Sequence, residues 1–164
     1  MIKKINFLFV TLFGIGKLKK IPGSYASLVT TIFLFFLFHI LNFSPNLVLI
    51  GVIAVFLFSL YAVNIFIKDL DNKDPKEVVI DEFIGQSIPI CLYEIAHEGT
   101  KETSQVLTFY FIIFILFRVF DIIKPYPVSY YDKNFKNSFG VIMDDVCAGL
   151  YVVAVLVLYM VLTT

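Results

Sequence analysis

The side chains best able to do chemistry in this sequence are acidic, and they stand where apolar segments meet polar ones. Asp81 and Glu82 open one apolar segment, Asp144 and Asp145 open another, and Asp121 follows a Phe-rich run. Two carboxylates about 5 Å apart repel each other by roughly 3 kcal/mol at an effective dielectric constant near 20. Such a cluster needs cations, and a divalent metal is a cation that clustered oxygen ligands bind. The pattern therefore indicates metal-and-carboxylate chemistry.

A second candidate feature lies at the end of the Phe-rich run. Arg118 and Asp121 are spaced i, i+3, and Lys124 follows three residues later, before a proline that ends the helix. A guanidinium beside clustered acids at an apolar boundary is well placed to bind a phosphate with two hydrogen bonds. Two alternatives stay open. The arginine can be a snorkelling cation with its own counterion, and the acids can cap helices, worth about 0.3–1 kcal/mol each.

The segment 14–27 combines glycines, lysines and hydroxyls ahead of a predicted helix. It includes Pro22, Gly23, Ser24 and Ser27, and a glycine-containing loop that enters a helix N-terminus is a common phosphate-binding arrangement. The spacing fits neither the P-loop nor the dinucleotide pattern. Glycine and lysine at a headgroup surface also need no ligand, so this signal is weak by itself.

The composition places these residues in a membrane protein. The chain has 164 residues, of which 59% are apolar and 16% charged, whereas soluble domains average roughly 45–50% and 25%. The mean hydropathy is +0.89, and a water-soluble core of this size cannot hide so much apolar surface. The formal net charge is zero, which argues against a nucleic-acid partner. Cys91 and Cys147 lack metal-ligand or redox spacing and are expected to be small core residues.

The apolar runs predict an all-α integral membrane bundle of four to five transmembrane helices, formed by one domain over residues 1–164. Residues 1–20 are expected to be a retained interfacial segment. A weaker run, 83–96, contains Gln86 and Pro89, so it can be a crossing helix, a re-entrant piece or a helix packed within the bundle. The four strong runs are 28–41, 47–67, 106–120 and 146–162.

The distribution of Lys and Arg predicts the orientation of the bundle. With five crossings and a cytoplasmic N-terminus, every Lys and Arg except Lys101 lies on the inner side, as the positive-inside rule requires. Most acids lie on that side too. We therefore expect the candidate site at the cytoplasmic face of the membrane.

Two other functional classes compete with an enzyme. An ion or proton translocator would place ionisable groups near midspan, with a route to both faces, whereas the acids gather on one predicted side. A non-catalytic membrane protein gives no reason to concentrate acids beside Arg118, the single arginine of the chain. His39, in a predicted span, and His97, in a predicted outer loop, are not expected to be catalytic.

Taken together, the motifs resemble those of the phosphatidylglycerophosphatase A family, which are bacterial membrane lipid phosphatases. The resemblance covers about Phe13 to Gly149. The diagnostic stretches are VVIDEFIGQ, FRVFDIIKPYPV, YYDKNF and FGVIMDDVCAG. The resemblance implies Mg²⁺-dependent removal of the terminal phosphate of phosphatidylglycerophosphate to give phosphatidylglycerol, in the bacterial inner membrane. The implied partners are this substrate and membrane lipids, with no obligate protein partner.

The resemblance also implies roles for individual residues. The acidic motif positions are matched by residues expected to be catalytic and to ligate the metal: Asp81, Glu82, Asp121, Asp144 and Asp145. Apart from the resemblance, the chemistry calls for a spare carboxylate as general base, and we expect Glu82 to be that base. Arg118 and Lys124 match the basic positions, expected to be catalytic and to bind substrate together with the loop residues Pro22, Gly23, Ser24 and Ser27. Asp74 and Asp132 match further acidic positions.

The N-terminal loop departs from the family pattern. Lys19, Ile21, Ser24 and Ala26 replace its usual Pro, Ala, Thr and second Gly, and the pair Asn137–Ser138 replaces two glycines. These differences concern loop geometry and substrate preference, whereas the acidic and basic positions are unchanged.

Overall fold

In the computed structural model, which describes residues 2–97 and 102–163, the chain forms seven α-helices and no strand within those ranges. A short 3₁₀ helix, Ile15–Lys17, follows the first of them. The α-helices are α1 Ile2–Val10, α2 Pro22–His39, α3 Pro45–Ile67, α4 Ile80–His97, α5 Thr103–Ile123, α6 Val128–Asn134 and α7 Ser138–Thr163. The predicted all-α class is confirmed.

Four helices, α2, α3, α5 and α7, are long and apolar enough to cross a membrane. Many of their large apolar side chains point outward, among them Ile50, Leu57 and Phe111. Exposed apolar surface of this extent is expected where lipid, and not water, surrounds a bundle. The four strong apolar runs thus fall on four helices that have the length and composition of membrane spans.

The weaker run forms α4, an unbroken helix that includes Pro89. The helix packs against α2, α3, α5 and α7, most extensively against α7, and Gln86 and Ser87 on it are fully buried. A continuous helix within the bundle excludes the re-entrant alternative for this segment. Since α4 extends to His97, the expectation that His97 lies in a loop was wrong.

Helix α7 begins at Ser138, eight residues before the predicted apolar run. The expectation that Asp144 and Asp145 stand at the start of this helix is therefore wrong. The Asn137 side chain accepts a hydrogen bond from the Gly140 backbone N–H at 3.0 Å, the usual contact of an N-cap residue. Asp144 and Asp145 therefore lie inside the helix and do not cap it. Their carboxylates are free to point towards neighbouring helices.

Two glycines allow α4 and α7 to approach closely. A Cβ on Gly149 would overlap with the Gly85 carbonyl oxygen, and a Cβ on Gly85 would lie 2.5 Å from the Asp145 carbonyl oxygen. The small residues of α7 thus allow close helix packing, as their size suggests. Gly85 follows Asp81 by four residues, and this spacing on a helix predicts bare backbone beside the acid, open to a metal or phosphate. That prediction was wrong, because α7 and Phe117 occupy this space.

The N-terminal segment is fixed to the chain that leads into α4. Helix α1 packs on α3, and the Val79 N–H donates to the Val10 carbonyl oxygen at 3.0 Å. A Cβ on Gly16 would overlap with the backbone of Glu77. The first acidic pair, just after Val79, therefore starts from a backbone held by the N-terminal segment.

Candidate active site

Three carboxylates from two helices form the centre of the candidate site. Asp81 and Glu82 lie in the first turn of α4 and Asp145 lies on α7. Each offers one oxygen, and these oxygens all lie within 4.8 Å of one another. Asp81 is 7% exposed and Asp145 is 3% exposed. The close packing at Gly85 and Gly149 brings the two helices near enough for this grouping.

Arg118 and Asp121, on the last turns of α5, flank the group. Arg118 Nη1 lies 2.9 Å from Asp121 Oδ2 and donates a hydrogen bond to Ser27 Oγ at 3.3 Å. Asp121 is close enough to repel Glu82 and Asp145 electrostatically. Both side chains of the pair are largely buried, so solvent screens the pair less than it screens an exposed one.

Lys124 ends α5 in the left-handed conformation, with φ of 49°, and joins α6 to α7. Its Nζ donates to Asp132 Oδ1 at 2.6 Å and to Asp144 Oδ2 at 2.8 Å. Burial alone lowers the pKa of Lys124, but the hydrogen bonds with these two carboxylates outweigh it and raise that pKa above its usual value. Lys124 is therefore a charged cation shared between two acids.

The N-terminus of α2 also adjoins the acids. A Cβ on Gly23 would overlap with Glu82 Oε1 and would lie 3.5 Å from Arg118 Nη1. Ser27, one turn later, donates to the Gly23 carbonyl oxygen at 3.0 Å, while its oxygen accepts from Arg118. Pro22 and Ser24 flank Gly23 in the same turn. The predicted substrate loop thus adjoins the predicted acidic cluster.

All the residues predicted for the site consequently gather at one end of the bundle, although the sequence separates them by up to 123 positions, from Pro22 to Asp145. Asp74 and Asp132, which match further acidic positions of the resemblance, line a narrow cleft beside Asp144.

The charges at this end do not balance. Arg118 and Lys124 neutralise Asp121, Asp132 and Asp144 in part, whereas Asp81, Glu82 and Asp145 form no ion pair within residues 2–97 and 102–163. Glu82 Oε2 is buried and has no hydrogen-bond partner there. Clustered carboxylate oxygens with an unpartnered member are a suitable ligand set for a hard cation. This buried acidic group can therefore hold a metal ion.

Comparison with known proteins agrees with this geometry. Residues 8–160 match the family model for phosphatidylglycerophosphatase A. The chain belongs to this family. It is therefore an enzyme of the phosphatase class, and the resemblance inferred from the motifs is confirmed.

Three relatives illustrate the range of the phosphatidylglycerophosphatase A family. The Haemophilus influenzae phosphatidylglycerophosphatase A is 34% identical over 87% of this chain and 81% of its own length. A Bacteroides thetaiotaomicron protein, provisionally named a phosphatidylinositol-3-phosphatase, is 32% identical over 91% of each chain. The Escherichia coli phosphatidylglycerophosphatase A is 28% identical over 84% of this chain and 73% of its own length. No solved structure matches the chain.

The sequence did not reveal a second polar cluster of this family member, at the other end of α2 and α4. The Glu94 carboxylate is 5% exposed. Its Oε1 lies 3.1 Å from His39 Nε2 and accepts a hydrogen bond from the Tyr110 hydroxyl at 2.8 Å. No spacing pattern links three residues on three helices, so only the fold identifies them. His39 lies at this end, away from the acids, as predicted.

Proposed function

We propose that the protein hydrolyses the terminal phosphate monoester of phosphatidylglycerophosphate, giving phosphatidylglycerol and inorganic phosphate, and that residues 1–164 act as one domain. The observation that carries the proposal is the grouping of Asp81, Glu82 and Asp145 within 4.8 Å, beside Arg118. Carboxylates alone repel a phosphate, whereas carboxylates that hold a cation next to a guanidinium attract one. The site therefore suits an anionic substrate only when a metal is bound.

We propose Mg²⁺ as that metal, held by Asp81, Glu82 and Asp145. Asp121 and Asp144, which are paired with Arg118 and Lys124, add negative charge beside it. Mg²⁺ prefers oxygen ligands and usually keeps several water molecules. When bound, it would polarise the phosphoryl group and supply an acidic water.

The residues of the chain then divide the remaining work. Glu82 Oε2, which has no partner in the described part of the chain, is the proposed acceptor of the proton from the attacking water. Arg118 binds the equatorial oxygens of the phosphoryl group, where negative charge accumulates. Its Nε is buried and unpartnered in residues 2–97 and 102–163, so a donor remains for the substrate. Ser27 accepts a hydrogen bond from Arg118, and Gly23 lies beside the guanidinium, so both help to orient it.

For Lys124, the contacts favour a positioning role over direct phosphate binding. Its Nζ already lies between Asp132 and Asp144. The lysine thereby keeps the acid pair of α7 oriented, so that Asp145 faces Asp81.

We further propose that the site faces the cytoplasm in the bacterial inner membrane. The support is the concentration of Lys and Arg in the segments that border it. The substrate headgroup then needs to leave the bilayer only as far as the interface, while its acyl chains stay among the exposed apolar side chains of the bundle.

The test is phosphate release from phosphatidylglycerophosphate by the purified protein in detergent micelles. Chelation of divalent ions should abolish release, and added Mg²⁺ should restore it. Asp81→Asn should lose activity, whereas Asp69→Asn, an exposed acid, should not. Binding of Mn²⁺, followed by electron paramagnetic resonance, should weaken in Asp81→Asn alone. Wild-type rates in Asp81→Asn, or full activity without divalent ions, would contradict the mechanism.

Phosphatidylinositol 3-phosphate is a second candidate substrate, because the Bacteroides relative is named after hydrolysis of this lipid and aligns over 91% of both chains. Parallel assays with both lipids compare their kcat/KM directly. If neither lipid is hydrolysed, both proposed substrates are wrong.

A further inference from the structure

Two adjacent lysines, Lys19 and Lys20, precede the helix turn that contacts the candidate site. Lys19 and Lys20 lie between the 3₁₀ helix and α2, and both are exposed. Their loop is held at both ends. Gly16 packs against the backbone of Glu77, and Pro22 begins α2 after Ile21 in the left-handed conformation, with φ of 43°. The two side chains are therefore displayed from a fixed backbone.

This loop lies beside the acids because Gly23 touches them. Lys20 precedes Gly23 by three residues, and an extended chain spans at most about 3.6 Å per residue. The Cα atoms of Lys20 and Gly23 are thus no more than about 11 Å apart. Since Gly23 adjoins Glu82 and Arg118, the backbone of Lys20 lies within about 11 Å of a residue that contacts the site, a distance that a lysine side chain and a glycerol phosphate can bridge.

Lys19 and Lys20 also differ from the neighbouring cations in being uncommitted. Arg118 pairs with Asp121, and Lys124 pairs with two acids. Lys17 lies over the Phe7 ring, 4.5 Å from its centroid. Within residues 2–97 and 102–163, neither Lys19 nor Lys20 makes an ion pair or a side-chain hydrogen bond. They are available to an anion that the acidic group itself does not bind.

The proposed substrate carries such an anion. Its headgroup has two phosphates, the terminal monoester and the phosphodiester that joins glycerol to the lipid. The monoester must enter the acidic group, which leaves the phosphodiester one glycerol unit away from it. We propose that Lys19 and Lys20 bind this phosphodiester and so select lipids that carry a second phosphate beside the one removed. This inference rests on the proposed function.

The experiment compares wild type with the double variant Lys19→Gln/Lys20→Gln in neutral detergent micelles at constant ionic strength. Two competitive inhibitors probe the two halves of the substrate. Phosphatidylglycerol has the phosphodiester without the monoester, and inorganic phosphate resembles the monoester alone. We expect KM for phosphatidylglycerophosphate and Ki for phosphatidylglycerol to rise about fivefold, the scale for loss of two exposed ion pairs. The kcat value and the Ki for inorganic phosphate should stay within twofold.

Two controls separate a local contact from general charge. Lys3→Gln/Lys4→Gln removes the same charge from exposed positions on α1, and its constants should match wild type. Lys19→Arg/Lys20→Arg should retain tight binding. An unchanged Ki for phosphatidylglycerol in the glutamine variant, or an equal rise in both Ki values or in both glutamine variants, overturns the inference. Failure of the proposed function is a different result, since wild type itself would then release no phosphate from the lipid.

Discussion

The two ends of this helical bundle treat buried carboxylates in opposite ways. At the end formed by the start of α4, Asp81 and Asp145 are buried within reach of Glu82, and no cation pairs with the three in the part of the chain that the structure describes. At the other end, the single carboxylate of Glu94 has His39 and Tyr110 as partners.

The difference separates a group that serves stability from one that serves ligand binding. A buried carboxylate with matched partners contributes to holding its helices together, and its loss is costly. A cluster of like charges works against the fold and persists where a ligand can compensate it. We therefore expect changes at the two ends to move stability and activity independently.

The largest expected effect is on activity, at the acidic end. Asp145→Asn should lower kcat/KM at least about a hundredfold, since even partners outside the ligand set of a metal contribute up to that factor. The thermal midpoint of the metal-free protein should stay constant or rise, because one of three repelling charges is gone. Phosphate release and thermal unfolding in detergent measure the two quantities. A large loss of thermal stability in this variant would break the contrast.

The next effect is on stability, at the other end. Glu94→Ala should destabilise the fold by about 3 kcal/mol, since it leaves the Tyr110 hydroxyl and His39 without their buried partner. Activity at a temperature well below unfolding should stay near wild type. Glu94→Gln, which can still accept from Tyr110, is the matched control and should lose less. Denaturant unfolding in detergent provides the comparison, and a selective loss of activity would assign Glu94 to the chemistry instead.

An intermediate effect is expected where the helices of the acidic end meet. Gly149→Ala places a methyl group against the Gly85 carbonyl and should destabilise the protein by about 1–3 kcal/mol, the usual range for overpacking. Activity should fall too, because α7 carries Asp145 away from Asp81. Gly51→Ala, in α3 with open space around it, should instead be neutral or slightly stabilising. Equal behaviour of the two variants would show that the close contact does not position the acids.

The smallest effect concerns the orientation of Arg118. Ser27→Ala removes one of the two partners of Arg118 Nη1, the other being Asp121. It should raise KM for the lipid about threefold, with kcat less affected, as expected for one weak hydrogen bond. Ser87→Ala is matched to it, since both buried serines donate to the carbonyl four residues earlier, but only Ser27 contacts the arginine. Steady-state kinetics of both variants test this role. The same KM for the lipid in the two variants would show that Ser27 does not orient Arg118 for substrate binding.

Much of the fold and of the candidate site could be predicted because it depends on local composition. The apolar runs predicted a bundle of four to five membrane helices, and four helices long and apolar enough to cross a membrane are present in the described part of the chain. The acid pairs of α4 and α7 and the Arg118–Asp121 spacing predicted where charge concentrates, and the family resemblance they supported is confirmed. The roles of the individual site residues remain predictions, which the variants above test.

Local pattern failed where a contact between distant segments decides the outcome. The apolar run predicted that Asp144 and Asp145 begin the last helix, but Asn137 caps it earlier. The sequence predicted bare backbone at Gly85 for a ligand, yet α7 occupies that space. The partners of Lys124, on α6 and α7, follow from where those helices pack.

The sequence by itself determined that the chain is a membrane helix bundle and which side chains carry charge, because transfer of apolar residues to lipid and short-range spacing are properties of each segment alone. Only the tertiary structure decided which carboxylates are balanced and which are not. That outcome depends on the distances between groups on different helices, and those distances are set by close packing at residues as small as Gly85 and Gly149.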